Sequence, residues 1–370
     1  MAALFCYNHC MTIGIEAERA NNPLKTGVEH YAKQLILHLA KIDSTNSYIL
    51  YLRTKPQAWF LSLPKNFRIK VMPFPIFWTQ IRISIEMLLN PVDVLFIPAS
   101  ALPLIHPKKS VVTIHDLAWR YFPGSFTWFM KIFLQWSTGF AVKRASQIIA
   151  VSQSTGRDLV KFYGIEEKKI AVVHHGYEES RQHTVDSMQT GMDLPEKYVL
   201  FLSTLQPRKN LEGLIDAFKL LKQEHPELPH KLVVAGKPGW KFEPILQKIE
   251  KNKDFVIYLD HVSDEDRLTI LSKADLLVLP SFYEGFGMQI LESFASNVPV
   301  ATSNVSSMPE VAGNAAVYFN PHSTTEIKNA IKLVLTDKSL CENLKEKGKD
   351  RLSHFSWEKC ATETLAVLAK

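Results

Sequence analysis

The sequence predicts an α/β protein of two doubly wound, Rossmann-like domains of similar size. Its 370 residues suit two domains, at about 150 residues each. Short apolar runs alternate with amphipathic stretches along the chain, the pattern of mostly parallel sheets covered by helices. The runs fall into two series, parted by a polar, aperiodic segment at 177–197 that reads as a linker. The domains that follow are 1–180 and 181–354, with an amphipathic helix predicted over 355–370.

In the first series, Ile13-Ile15, Tyr48-Tyr51, Ile69-Val71, Val94-Phe96, Val111-Ile114, Ile148-Val151 and Ile170-Val173 read as strands. Helical periodicity covers 28–40, 78–89, 125–143 and 153–163. Met11 opens the first strand and reads as the start of the functional chain, with the decapeptide Met1 to Cys10 as an upstream extension. That decapeptide lacks a basic n-region, an apolar h-region and a cleavage site, so it is no secretory signal. In the second series, Val199-Leu202, Leu232-Val234, Phe255-Tyr258, Leu276-Leu279, Val300-Ala301 and Val317-Phe319 read as strands, again separated by helices.

Composition excludes several classes of function. A net charge of +6 from 43 Lys+Arg and 37 Asp+Glu is too diffuse for a nucleic-acid binder. Four scattered cysteines, Cys6, Cys10, Cys341 and Cys360, make no disulfide framework and point to a reducing, cytoplasmic compartment. Cys6, His9 and Cys10 lack a second half nearby and are not read as a metal site.

In open parallel sheets ligands bind beyond the carboxyl ends of strands, so polar residues just after an apolar run are the site candidates. Arg208 and Lys209 stand in the turn after 199–202, at a helix start where adjacent cations repel each other and oppose the helix dipole unless an anion is bound. A diphosphate fits there. After 276–279 comes Tyr283-Glu284-Gly285-Phe286-Gly287-Met288-Gln289-Ile290-Leu291-Glu292, where two glycines let backbone N–H groups approach a ligand. Glu284 stays in the loop and Glu292 falls inside the next helix among Ile290, Leu291 and Phe294, so the two read as separate hydroxyl-binding carboxylates. Asp264-Glu265-Asp266 matches a loose metal-binding Asp-x-Asp, but Ser263 before three acids is a helix start with dipole-complementing charge. No essential metal is expected.

The Arg208-Lys209 turn, the Glu284-x7-Glu292 pair with Gly285-Phe286-Gly287 between, and Asn297 to Asn304 with Met308-Pro309-Glu310-Val311 together resemble the family 4 (group 1) retaining glycosyltransferases of GT-B fold. The resemblance runs from Ile13 to the last helix. It implies two domains facing a central cleft, an N-terminal acceptor side and a C-terminal nucleotide-sugar side, with helix 355–370 packing back onto the first domain. It implies that Arg208 and Lys209 bind the nucleotide diphosphate, that Glu284 and the N–H groups of Gly285, Phe286, Gly287 and Met288 hold the donor sugar and phosphate, and that Glu292 binds the ribose. Gln289 stands where many relatives have Pro. Base contacts fall near Gly236-Lys237-Pro238 and His261-Val262. Two places in the first domain join the list by the same resemblance. His115, with Asp116, ends the strand 111–114 and would lie over the donor sugar, although a lone His is more often structural and Asp116 also suits a turn cap. Gly27 sits at a helix start suited to close approach by a phosphate, without the glycine spacing of a dinucleotide fingerprint.

The implied reaction is transfer of a hexose, with retention of configuration and no metal, to a glycan or lipid-linked glycan acceptor in cell-surface polysaccharide biosynthesis. Mannose from GDP-mannose is the first choice of donor and UDP-glucose or a related UDP-sugar the next. A UDP-sugar 2-epimerase shares the two-domain fold, and a non-catalytic sugar-binding protein is the reading outside enzymes.

Segment 121–142 carries only Lys131 as a charge, but Pro123, Gly124 and polar residues leave it short of a bilayer span. Phe126, Phe129, Phe133, Trp136 and Phe140 form one wide aromatic helix face. That face reads as domain core or, with Lys131, Lys143 and Arg144 beside it, as a peripheral membrane contact through 121–144, at the inner face of the membrane. Charge is uneven: residues 1–180 hold 20 Lys/Arg and 12 Asp/Glu, net +8, whereas 181–370 hold 23 and 25, net −2. The basic half is the one expected to meet the acceptor.

Overall fold

The computed structural model describes residues 10–22, 27–125, 127–177, 194–260 and 262–370. Met1–His9 of the upstream extension, Lys25 and Thr26 before Gly27, Phe126 of the aromatic face, 178–193 of the linker and His261 lie outside the described residues.

Among the described residues thirteen strands fall where the sequence predicted them. The first sheet holds β1 (Thr12–Glu16), β2 (Ser47–Leu52), β3 (Phe67–Val71), β4 (Val94–Ile97), β5 (Ser110–Ile114), β6 (Gln147–Ala150) and β7 (Ile170–Val172), in spatial order β3-β2-β1-β4-β5-β6-β7. The second holds β8 (Tyr198–Leu202), β9 (Lys231–Ala235), β10 (Val256–Leu259), β11 (Leu276–Leu279), β12 (Val300–Ser303) and β13 (Ala316–Phe319), in order β10-β9-β8-β11-β12-β13. Every strand pair is parallel. Helices cover both faces of a doubly wound sheet, so the central strands are buried throughout and read in sequence as unbroken apolar runs. Strand order reverses between β1 and β4 in one sheet and between β8 and β11 in the other. Such switch points leave a crevice beyond the strands' carboxyl ends.

One compact unit comprises the residues up to Leu117, Phe129–Gly176 and Ser356–Lys370; the other comprises Ala118–Trp128 and Tyr177–Phe355. In the first, the helix Trp357–Ala369 buries Trp357, Ala361 and Leu368 in one cluster with Tyr31, Leu35 and Leu39 of the helix Gly27–Ile42. A side chain at Gly176 would overlap the Trp357 backbone, which is why glycine stands there.

Local signals fix helix ends. Ser152 Oγ accepts from Thr155 N–H at 3.0 Å to start the helix Gln153–Tyr163, and Gly164 closes it with a φ of 63°. Ser263 Oγ accepts from Asp266 N–H at 3.0 Å and caps the helix Asp264–Ser272, so that acidic run does start a helix. The helix Trp128–Arg144 departs from the core reading. It turns Ser137, Thr138, Ala141 and Val142 inward, leaving Phe129, Phe133 and Trp136 at 77%, 38% and 47% exposure. Small side chains let the backbone come close to the sheet, and the aromatic rings are too large for that space. Among the described residues no helix is long and apolar enough to cross a membrane.

Candidate active site

In the second unit the switch point carries a charged cluster. Strand β8 runs into a single 3-10 turn, Pro207–Lys209, ended by Asn210 in the left-handed region at a φ of 55°. Asn210 Nδ2 donates to the Pro280 carbonyl at 3.1 Å and to the Pro321 carbonyl at 2.7 Å, tying this turn to the loop after β11. Phe282 N–H donates to the Arg208 carbonyl at 2.9 Å, which joins the same two segments a second time.

On this frame Lys209 Nζ donates to Glu284 Oε1 at 2.5 Å, and an Arg208 guanidinium nitrogen lies 3.3 Å from Glu284 Oε2 and 3.0 Å from the Tyr283 carbonyl. Ser281 Oγ donates to Glu284 Oε1 at 2.6 Å. Burial by itself would raise the Glu284 carboxyl; the charges of Lys209 and Arg208 and the hydrogen bonds from Lys209 and Ser281 outweigh it and hold it down at about 2. The anion that the adjacent cations require is thus supplied by the chain itself. Glu284, read from the sequence as a hydroxyl-binding carboxylate, is bonded to both Arg208 and Lys209.

The Gly285-Phe286-Gly287 loop is held from the other side. Ser306 Oγ donates to the Glu284 carbonyl at 2.5 Å, and Ser307 Oγ to the carbonyls of Glu284 and Phe286, both at 2.9 Å. Gly287 has a φ of 95° and precedes the helix Met288–Ala295, so only glycine turns the chain there without strain. Glu292 lies within that helix with its side chain 12% exposed, in an ion pair with Arg267. Beside this region, added side chains at Gly236 and Gly239 would overlap Ser203-Thr204 and Leu205, so the ends of β8 and β9 run in close contact. Ser306, Ser307 and Arg267 are parts that the motif spacing does not reveal, since each acts from a segment more than 20 residues away, and Ser281, three residues before Glu284, carries no motif signal of its own.

In the first unit, His115 directly follows β5, with a ring nitrogen 3.0 Å from the Pro98 carbonyl oxygen. Tyr31 meets its ring edge-on at 4.9 Å and His175 lies 5.5 Å away. Burial lowers the His115 pKa, opposed by the bond to Pro98 and the Asp116 charge, so the ring is neutral at physiological pH. Asp116 follows in the coil before the helix Ala118–Tyr121. Gly27 opens the helix Gly27–Ile42, and a Cβ there would meet nothing within 4 Å.

The same unit holds a cavity of about 500 Å³ whose lining includes Glu16, Glu18, Arg19, Glu29, Arg53 and Trp78. Glu18 accepts from Arg53 N–H at 2.7 Å and from Thr54 Oγ1 at 2.8 Å, which fixes the chain after β1 against the end of β2. Burial pushes Glu16 up to about 7, against a smaller opposing effect of Arg19. Motif reading missed this cavity because no local pattern marks it. Among the described residues no group of three or more His, Cys, Asp or Glu is placed to hold a metal ion.

Known proteins resemble both halves of the chain. Residues 25–181 match the model of glycosyltransferase family 4, and residues 184–351 that of the glycosyl transferases group 1. The O-antigen chain mannosyltransferase B of Escherichia coli is 30% identical over 265 residues, 70% of this chain and 69% of that protein. The O-antigen chain mannosyltransferase RfbU of Salmonella typhimurium is 29% identical over 62% of each chain. Among solved structures, WaaG, a glycosyltransferase involved in lipopolysaccharide biosynthesis, superposes with a TM-score of 0.70 over 97% of this chain and 99% of its own, at 15% identity. Anabaena HepE in complex with UDP and glucose gives 0.71 over 98% and 100%, at 16% identity. The chain belongs to the group 1 glycosyltransferases, and its two parallel-sheet units are those of the GT-B fold. That membership makes it a transferase rather than an epimerase or a non-catalytic sugar binder.

Proposed function

We propose that the protein transfers mannose from GDP-mannose, with retention of configuration and without an essential metal, to a glycan or lipid-linked glycan acceptor in cell-surface polysaccharide assembly. The observation that carries this reading is the Arg208–Lys209–Glu284 cluster at the switch point of the second sheet. Negative charge grows on the leaving diphosphate as the glycosidic bond breaks, and cations fixed beforehand stabilise that state more than the ground state. Glu284 fixes them: bonded to both Arg208 and Lys209, it holds the two cations side by side for the diphosphate. Gly285 to Met288 then present N–H groups to the donor, and Glu292, oriented by Arg267, meets the ribose. With no carboxylate assigned as nucleophile, the acceptor hydroxyl attacks from the face the diphosphate leaves, and the departing phosphate takes its proton.

The O-antigen mannosyltransferases among the relatives support mannose as the sugar and a surface polysaccharide as the product. The cavity lined by Glu16, Glu18, Arg53 and Trp78 suits an acceptor, since carboxylates and guanidinium groups bind hydroxyls and an indole packs on a sugar ring. His115 and Asp116 are proposed to face the donor sugar, and Gly27 its phosphate. A lipid-linked acceptor would bring the enzyme to the cytoplasmic face of a membrane, with 121–144 as the contact predicted from sequence.

Thermal-shift titration with GDP-mannose and UDP-glucose tests the donor: a shift with GDP-mannose alone is expected, and a shift with UDP-glucose alone would transfer the assignment to UDP-sugars. Product anomers read by NMR test the stereochemistry, and an inverted product would refute retention. Full turnover in EDTA is expected, and restoration of activity only by a divalent cation would end the metal-free reading.

A further inference from the structure

The helix Trp78–Leu89 carries apolar side chains outward as well as inward. Its buried side packs Trp78, Ile83 and Met87 into the core and also carries Gln80, Ser84 and Glu86, the last paired with Lys70 and Arg82, while Ile81, Ile85, Leu88 and Leu89 face outward. Leu88 and Leu89 are 65% and 69% exposed. A helix in contact with water places its charges outward and its apolar stripe inward. In the helix Trp128–Arg144 an outward apolar face recurs, with Ile132, Phe133 and Trp136 exposed while Ser137, Thr138, Ala141 and Val142 are buried.

These two faces belong to one surface. The Phe77 ring, beside the first helix, lies 6.5 Å from the Phe133 ring of the second. Between the helices runs the loop of exposed Leu104 and Ile105, whose Ile105 N–H donates to Ser84 Oγ at 3.0 Å. The next residue, His106, meets the Phe140 ring at 6.4 Å, and Phe140 stacks on Trp136 at 6.1 Å. Single exposed apolar side chains are ordinary, but a continuous apolar surface over two helices and a loop marks a place of contact.

Charge identifies the partner. Lys108, Lys109, Lys143 and Arg144 are exposed at the margins of the surface. Between residues 94 and 157 the sequence has seven Lys or Arg, and Asp116 is its only acid. A second copy docking face to face would set these cations against themselves, whereas an anionic bilayer offers acyl chains to the apolar side chains and phosphates to the cations.

We propose that this two-helix surface docks on anionic phospholipid, with Ile85, Leu88, Ile105 and Trp136 entering the interface and Lys108 and Lys109 meeting the headgroups. It extends the contact predicted at 121–144 to a second helix and a loop, and it holds whichever sugar is transferred. Co-sedimentation of the full chain, without substrate, with vesicles of phosphatidylcholine alone or mixed with phosphatidylglycerol tests it. Wild type is expected to pellet with the mixed vesicles at low salt and to be released by high salt. Lys108→Glu/Lys109→Glu and Ile85→Glu/Leu88→Glu should each weaken binding by about tenfold or more, at about 1 kcal/mol per basic residue. Both variants should keep the far-UV circular dichroism and melting temperature of wild type, which separates loss of docking from loss of fold. Failure to pellet, indifference to lipid charge or to both variants, or a lipid-free dimer that Ile85→Glu/Leu88→Glu dissolves would overturn the proposal.

Discussion

Glu16 and Glu284 are buried carboxyls near strand ends, one in each unit, and they ionise in opposite directions. Glu16 ends β1 beside a cavity and is pushed up to about 7 by burial, with Arg19 opposing too weakly to reverse it. Glu284 is buried as thoroughly, yet Lys209 and Arg208 hold it at about 2. Burial is common to both; two cations within hydrogen-bond reach are not. The second unit therefore holds a paired charge array, while the first offers an acid that is neutral or charged according to its surroundings. That division suits a donor carrying a diphosphate on one side and an acceptor of hydroxyl groups on the other.

The largest effect expected from disturbing this contrast is on turnover. Arg208→Ala should slow release of nucleoside diphosphate from the donor by about 100-fold or more, the usual cost of removing one preorganised donor to a growing anion. An unchanged rate would take Arg208 out of the site. Next comes stability, probed with the same substitution at both positions. Glu284→Gln strands two cations and should cost about 3–5 kcal/mol in thermal melts, whereas Glu16→Gln at pH 6 should cost less than about 1 kcal/mol. Equal losses would erase the distinction.

The pH dependence has opposite signs in the two units. Glu16 has a folded pKa above the ordinary 4.5, so its contribution is complete below that value and is lost as pH rises to about 7. Glu284 has a folded pKa below 4.5, so its contribution is complete above that value and is lost as pH falls towards 2. Hydrogen exchange of each unit against pH should show the first unit loosening on the alkaline side and the second on the acid side, and Glu16→Gln should flatten the first trend. Smallest is Arg267→Ala. It frees Glu292 to move and should raise the donor KM by about threefold to tenfold with little change in kcat, at about 1 kcal/mol for a partly exposed pair; a fall in kcat alone would contradict an orienting role.

Much of this was legible in the sequence, for a physical reason. Central parallel strands buried on both faces cannot tolerate polar residues, so β4, β5, β8 and β11 announced themselves as apolar runs, and Arg208, Lys209 and Glu284 stood out as charges placed just beyond such runs. The bond between Lys209 and Glu284 was not legible: the two are 75 residues apart and meet only because β8 and β11 are neighbours at the switch point. The same holds for Arg267 with Glu292, and for Glu16, whose pKa depends on burial that no local pattern encodes. The aromatic helix teaches a different lesson. Periodicity located the stripe Phe129, Phe133 and Trp136 but not its direction, because the small residues Ser137, Thr138 and Ala141 compete for the core side and fit it better.

Calorimetric titration of the full-length protein with GDP and with UDP, comparing wild type with Arg208→Ala, tests most directly the claim that the charge array of the second unit is a diphosphate site. Tighter binding of GDP than of UDP by wild type, weakened about tenfold to 100-fold in the variant, is the result predicted from loss of a charge-assisted contact. Equal affinity in wild type and variant would contradict it.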